Sequence, residues 1–175
     1  LIFNRRKTRG ETAQHISKVN RGELLNILNV AFSEEWLAYY QYWIGAQVAK
    51  GPMRKIIAEE FIEHANEELK HAQWLSDRII QLGGTPVIDP DEWKKRALCK
   101  YEAPTDEYVE TLLRQNLTAE RCAVARYQQI CDMCYGKDYD TFRVSAKILK
   151  EELEHEQEIG DYIDDIEETK KHMRG

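Results

Sequence analysis

"EELKH" at residues 67–71 and "EELEH" at residues 151–155 each place a Glu three residues before a His, giving the pairs Glu68/His71 and Glu152/His155. No other Glu-x-x-His occurs in the chain. Residues three apart on a helix share a face, so each carboxylate converges on its imidazole. A single pair in an acidic helix means little, because exposed Glu networks are common. Two pairs at matching places in two helical hairpins would be the two halves of one buried site.

The surroundings supply those hairpins. Apolar residues recur at helical spacing over 21–50, with Leu24, Leu28, Ala31, Phe32, Ala38, Tyr39 and Tyr42 on one stripe. "KGP" (50–52) closes this helix and opens a second over 52–82, with Ile57, Phe61, Ala65, Ala72, Leu75 and Ile79 inward. Residues 83–104 contain Gly83, Gly84, Pro86, Pro90 and Pro104 and read as a long connection, with a short helix near "PDEWKKRALC". A third helix begins near Thr105 as N-cap and runs to about 135, "YGKD" turns at Gly136, and a fourth spans 139–168. The expected organisation is a basic tail (1–20), an all-α four-helix bundle (21–168) and a fraying tail (169–175). Two hairpins joined by a long crossover match the ferritin-like arrangement of bundles.

Folding each hairpin at its glycine brings in the missing ligands. A turn at Gly51 sets Glu68 level with Glu34 or Glu35, and a turn at Gly136 sets Glu152 level with Glu120. Glu35 lies on the inner stripe with Ala31, Tyr39 and Tyr42, whereas Glu34 sits ~100° round the helix among solvent positions. The candidate metal ligands are therefore Glu35, Glu68, His71, Glu120, Glu152 and His155. Four buried carboxylates without cations would repel one another in low dielectric, and two divalent metals offset that charge. Oxygen and imidazole donors without thiolate suit Fe, Mn or Zn rather than iron–sulfur chemistry. Glu67 and Glu151 read as ordinary surface charge.

Composition narrows the function classes. The net charge is −6, but residues 1–18 carry Arg5, Arg6, Lys7, Arg9 and Lys18 against Glu11, leaving the remainder at about −10. Such a tail is a candidate nucleic-acid contact, though solvation or a subunit contact is the commoner use. No apolar run approaches the ~20 residues of a membrane helix, no signal-peptide pattern occurs, and a cytoplasmic location is expected. Four Cys in such a chain suggest reduced, metal-binding or redox-active thiols rather than a secreted disulfide scaffold.

"EEWLAYYQYW", "EELKHA", "AERCAVARY" and "ILKEELEHE" resemble the ferroxidase segments of the di-iron ferritin superfamily, over about residues 21–165. The resemblance implies that Glu35 with His71 holds one iron, Glu120 with His155 the other, and Glu68 and Glu152 bridge them. "ALC" (97–99), "AERCA" (119–123) and "ICDMCYGKD" (130–138) are similar to the Dps-like thioferritins, which carry a bacterioferritin-type site within each subunit of a twelve-subunit shell. That likeness pairs Cys99 of the crossover with Cys122 as a redox disulfide; two free thiols are the alternative. Leu69 stands where a haem-binding bacterioferritin has Met, so no haem is expected. A lone Cys131/Cys134 pair leaves no place for a rubredoxin domain and reads as core packing. Ordinary Dps builds its site between subunits and lacks this Glu-x-x-His set.

Tyr42 and Tyr127 fall seven residues after Glu35 and Glu120, two turns from the metals. Tyr42 is a candidate auxiliary residue by electron or hydrogen-bond donation; core packing is the alternative. His64, one turn before Glu68, reads as a packed or cavity-facing His, with an accessory ligand on an iron path as the other option. Trp36, Trp43 and Trp74 read as packing residues. The expected activity is that of a ferroxidase mini-ferritin. It would take Fe(II) with hydrogen peroxide or dioxygen, hold two iron ions per subunit (Mn or Zn able to substitute), and store Fe(III) mineral against oxidative stress. The alternatives are a non-storage di-metal peroxidase or catalase, and a nucleoid-binding protein acting through the basic tail.

Overall fold

A computed structural model describes residues 11–173. The basic residues Arg5, Arg6, Lys7 and Arg9, on which the nucleic-acid expectation rests, lie outside the described residues. Within the supposed tail, Glu11–Ile16 forms a short helix α1, and the Lys18 amide donates to the Lys137 carbonyl at 2.9 Å. Four long helices follow: α2 (Arg21–Val48), α3 (Arg54–Gln81), α5 (Val109–Cys134) and α6 (Tyr139–Met173). A 3₁₀ turn (Pro90–Glu92) leading into α4 (Trp93–Arg96) is the short helix expected in the crossover. The chain is an all-α four-helix bundle, with no strand among the described residues.

Helix boundaries depart from expectation where side chains decide them. Gly51 has φ +109°, and a Cβ there would meet the Tyr108 ring at 2.6 Å, so only glycine fits this turn. Met53 adopts φ +63° and α3 starts at Arg54 rather than at Pro52. Thr105 is not an N-cap: α5 starts at Val109, and Asp106 accepts from the Tyr108 amide and the Thr111 hydroxyl. Lys50 ties both ends of this region together, donating to the Glu107 carbonyl at 2.7 Å and accepting from the Val109 amide at 2.9 Å. Gly136 (φ +68°) makes the second turn, and Asp138 accepts from the Thr141 amide to open α6. Residues 169–173 remain helical. They continue α6 to Met173, where Lys170 pairs with Glu110 of α5 and cations suit the negative helix end.

Two apolar clusters fill the bundle, one toward each end. The first includes Leu24, Leu28, Leu75, Ile79, Tyr127, Ile130 and Ile148. The second includes Tyr42, Ile57, Phe61, Leu112, Leu113, Ile159 and Ile163. Between them lies a layer of buried Glu and His side chains. Cys134 belongs to the first cluster and Cys131 is also buried, so this pair packs as expected. Trp36 stacks on Trp93 of the crossover at 5.2 Å, and Trp74 is partly buried beneath Lys147. Trp43 does not join the core; it is 40% exposed and lies against Tyr40.

Candidate metal centre

Antiparallel register assembles the polar layer. Between α3 and α6 the pairs His71/Glu151, Glu67/His155, His64/Glu158 and Glu60/Tyr162 are all in contact, and their residue numbers add to one constant total. Between α2 and α5 the same holds for Glu35/Tyr127 and Tyr42/Glu120. The second hairpin therefore runs back along the first, and all six expected ligands meet at mid-bundle. Glu35, Glu68, His71, Glu120, Glu152 and His155 are each at most 3% exposed.

These six residues form two overlapping sets. Donor atoms of Glu35, Glu68, His71 and Glu152 lie within 4.8 Å of one another, and so do those of Glu68, Glu120, Glu152 and His155. Glu68 and Glu152 belong to both sets, as bridging carboxylates must. His71 Nδ1 is 3.3 Å from Glu35, 3.2 Å from Glu68 and 3.1 Å from Glu152. His155 Nδ1 is 3.6 Å from Glu68, 3.7 Å from Glu120 and 3.8 Å from Glu152. Glu35 Oε2, Glu120 Oε2, both Glu152 oxygens and His155 Nδ1 are buried without a hydrogen-bond partner. Orphaned acceptors at this density are costly in a protein interior. Converging oxygen and imidazole donors with unused lone pairs fit two divalent cations.

Electrostatics describe the same strain. Burial first, and the Glu68 charge second, push the Glu35 carboxyl up to about 8. Burial, with Glu68 and Glu120 adding, raises Glu152 well above the usual carboxylate range. Burial also works against ionised Glu68, but hydrogen bonds from His155 and His71 outweigh it and hold that carboxyl well below the usual range. Burial opposes charging of both imidazoles, and the facing carboxylates override it. His71 is raised strongly through Glu152, Glu35 and Glu68, and His155 to about 12 through Glu120 and Glu68. Without metal, protons on these groups carry the compensating charge.

Around the ligands lies a ring of supporting residues. His71 Nε2 meets Glu151 at 2.8 Å and His155 Nε2 meets Glu67 at 2.8 Å. Glu67 and Glu151 are therefore not simple surface charge: each orients the histidine of the opposite hairpin and leaves its Nδ1 aimed inward. The doubled Glu in "EELKH" and "EELEH" was the available signal, but only the cross-hairpin register gives it meaning. The Tyr42 hydroxyl donates to Glu120 and the Tyr127 hydroxyl to Glu35. Both phenols are raised, by burial first and then by those same carboxylates, so they remain protonated donors.

Glu34 is buried too, against the expectation that it borders solvent, because the crossover covers it. It accepts from the amides of Leu98 and Cys99 at 2.8 and 2.9 Å and pairs with Arg126 at 3.0 Å. Beside it Cys99 and Cys122 form a disulfide with Cα atoms 5.6 Å apart, tying the crossover to α5. A cavity of about 30 Å³ reaches from this crossover to the ligands; its lining includes Leu37, Ala38, Cys99, Ala119, Ala123 and Glu120.

The ferritin-like domain model matches residues 25–169. The chain belongs to the ferritin-like family. Among members of the family, it is 38% identical to the DNA protection during starvation protein of Pyrococcus furiosus, over 77% of this chain and 73% of that one. A dodecameric thioferritin, the bacterioferritin-related protein of Bacteroides fragilis, superposes with a TM-score of 0.91 at 49% identity, covering 93% of this chain and 98% of the other. Dps from Thermosynechococcus elongatus superposes with a TM-score of 0.77 at 17% identity, covering 81% and 90%, and shares the fold. The bundle, the Dps-like and thioferritin likeness and the Glu/His clusters thus agree with one another. Among the described residues no helix is long and apolar enough to cross a membrane.

Proposed function

We propose that this ferritin-like chain is a ferroxidase. Fe(II) is its substrate, and hydrogen peroxide or dioxygen is the electron acceptor. The observation that carries this reading is the pair of four-residue sets sharing Glu68 and Glu152. Glu35 and His71 would hold one iron, Glu120 and His155 the other, and Glu68 and Glu152 would bridge. A bound pair of irons supplies one-electron chemistry at two adjacent centres. The protein's part is positional and electrostatic. Anionic oxygens favour Fe(III) over Fe(II), Glu67 and Glu151 fix the imidazole tautomers, and the tyrosine hydroxyls orient the terminal carboxylates. Protons held on His71 and His155 must leave as metal enters.

The subunit count and storage role rest on the thioferritin likeness. We place the oxidised iron as mineral inside a twelve-subunit shell of about 247 kDa, twelve times 20.6 kDa. Consuming Fe(II) and peroxide together would suppress radical formation, giving a protective role in a cytoplasmic setting. Anaerobic Fe(II) loading of the metal-free protein, followed by peroxide or oxygen, tests the reading. Wild type should oxidise about two Fe(II) per subunit rapidly, and Glu68→Ala with His71→Ala should not. An unchanged rate in that variant sinks the site. A non-storage peroxidase or catalase would show turnover of peroxide without accumulating iron.

A further inference from the structure

Resting on the dinuclear reading, we propose that Glu60, His64 and Glu158 form a third divalent-cation site on the α3–α6 face, feeding Fe(II) to the Glu120–His155 side of the centre. Donor atoms of these three residues lie within 4.8 Å of one another. His64 Nε2 is 3.0 Å from Glu158 Oε2 and 3.6 Å from Glu60 Oε1. The site grades inward from solvent: side-chain exposure is 51% at Glu158, 22% at Glu60 and 1% at His64. The Tyr162 hydroxyl donates to the other Glu60 oxygen at 3.1 Å and fixes that carboxylate. Two carboxylates and one imidazole, with the remaining positions open to water, suit a transiently held Fe(II), Co(II) or Mn(II).

His64 joins this outer site to the inner one. Its ring stacks on His155 with centroids 4.1 Å apart and planes 18° apart. Donor atoms of His64, Glu120 and His155 also lie within 4.8 Å of one another, so one imidazole belongs to both ligand groups. His64 Nδ1 is buried and has no hydrogen-bond partner, as are Glu120 Oε2 and His155 Nδ1.

The two faces of the centre divide the traffic by chemistry. The cavity under the crossover, between α2 and α5, has an apolar wall of Leu37, Ala38, Ala119 and Ala123, with Glu34 and Lys100 also in its lining and the ligand carboxylates at its floor, and admits a small uncharged oxidant. The α3–α6 face carries Glu60, Glu67, Glu151 and Glu158, which concentrate cations.

Crystals of the metal-free full-length protein, soaked in Co(II), provide the test by anomalous diffraction. Wild type should show a peak between Glu60, His64 and Glu158 besides those at the dinuclear centre. Glu60→Gln with Glu158→Gln, or Glu158→Gln alone, should remove this peak and leave the inner pair. Stopped-flow Co(II) absorbance should show the inner centre filling severalfold more slowly in the double variant. Absence of the outer peak in wild type overturns the site and leaves His64 as a packed histidine in contact with Glu158. An outer peak with unchanged inner loading overturns the route. Failure of the dinuclear reading looks different: inner peaks are missing whether or not the outer one appears.

Discussion

Glu34 and Glu35 are chain neighbours with opposite tasks. Helical phase assigned Glu35 inward correctly, but phase alone could not show what covers Glu34 on the other side. The structure turns that carboxylate onto the Leu98 and Cys99 amides and Arg126. Glu35 makes a pH prediction. Its carboxyl rises from 4.5 to about 8 on folding. A raised folded value stabilises the protein fully below 4.5, and that stabilisation is lost as pH rises through about 8. His155, raised from 6.5 to about 12, acts in the same direction above 6.5. Glu68, held low, acts oppositely, but its change falls below 4.5. Metal-stripped protein should therefore melt at lower temperature at pH 8 than at pH 5.5, and Glu35→Gln should flatten that slope. A melting temperature rising across the same range would contradict the assignment. Metal binding should show the reverse dependence, tightening as pH rises, because it needs the deprotonated ligands.

At the scale of elements, the α3–α6 ladder turns a sequence repeat into a supporting shell. Glu67→Gln or Glu151→Gln should weaken metal binding by about 10–100-fold without unfolding the bundle. Competition with a coloured chelator would measure it, and an unchanged affinity would return both residues to surface charge. The helices and their pairing were legible because two glycine turns and a 3.6-residue stripe leave few alternatives. Caps and ends were less so. Tyr108, not Thr105, is the N-cap of α5, with Asp106 bracing the turn before it, since the crossover's return path and the Lys50 bridge set where the helix can begin. Helix α6 outruns its apolar stripe because Lys170 reaches Glu110 across the hairpin. The Cys99–Cys122 link spans 23 residues, a loop whose closure is worth about 3 kcal/mol in the chain-entropy view. Cys99→Ser with Cys122→Ser should lower stability by roughly that amount in denaturant titration. It should also leave the α3–α6 pairs intact, because those lie on the far side of the centre.

For the whole molecule, the decisive feature is a polar layer set between two apolar clusters. Leu24, Leu28, Leu75 and Ile79 lie in one cluster, and Ile57, Phe61, Leu112 and Leu113 in the other. Neither cluster needs the metal to be buried. The imidazolium–carboxylate contacts of His71 and His155 balance the layer's charge in the metal's absence. This differs from small zinc domains, where the metal supplies the folding energy and chelation denatures the chain. Stripping metal from this protein should therefore preserve helical circular dichroism and native mass. Reloading should raise the melting temperature by mass action, about 2.7 kcal/mol when free metal is 100 times its dissociation constant. Glu68→Ala with His71→Ala should lose most of that gain while keeping the same assembly, since both residues lie in the central polar layer. Collapse of the helices on chelation would instead make the centre a structural clamp, and catalysis would then need another site.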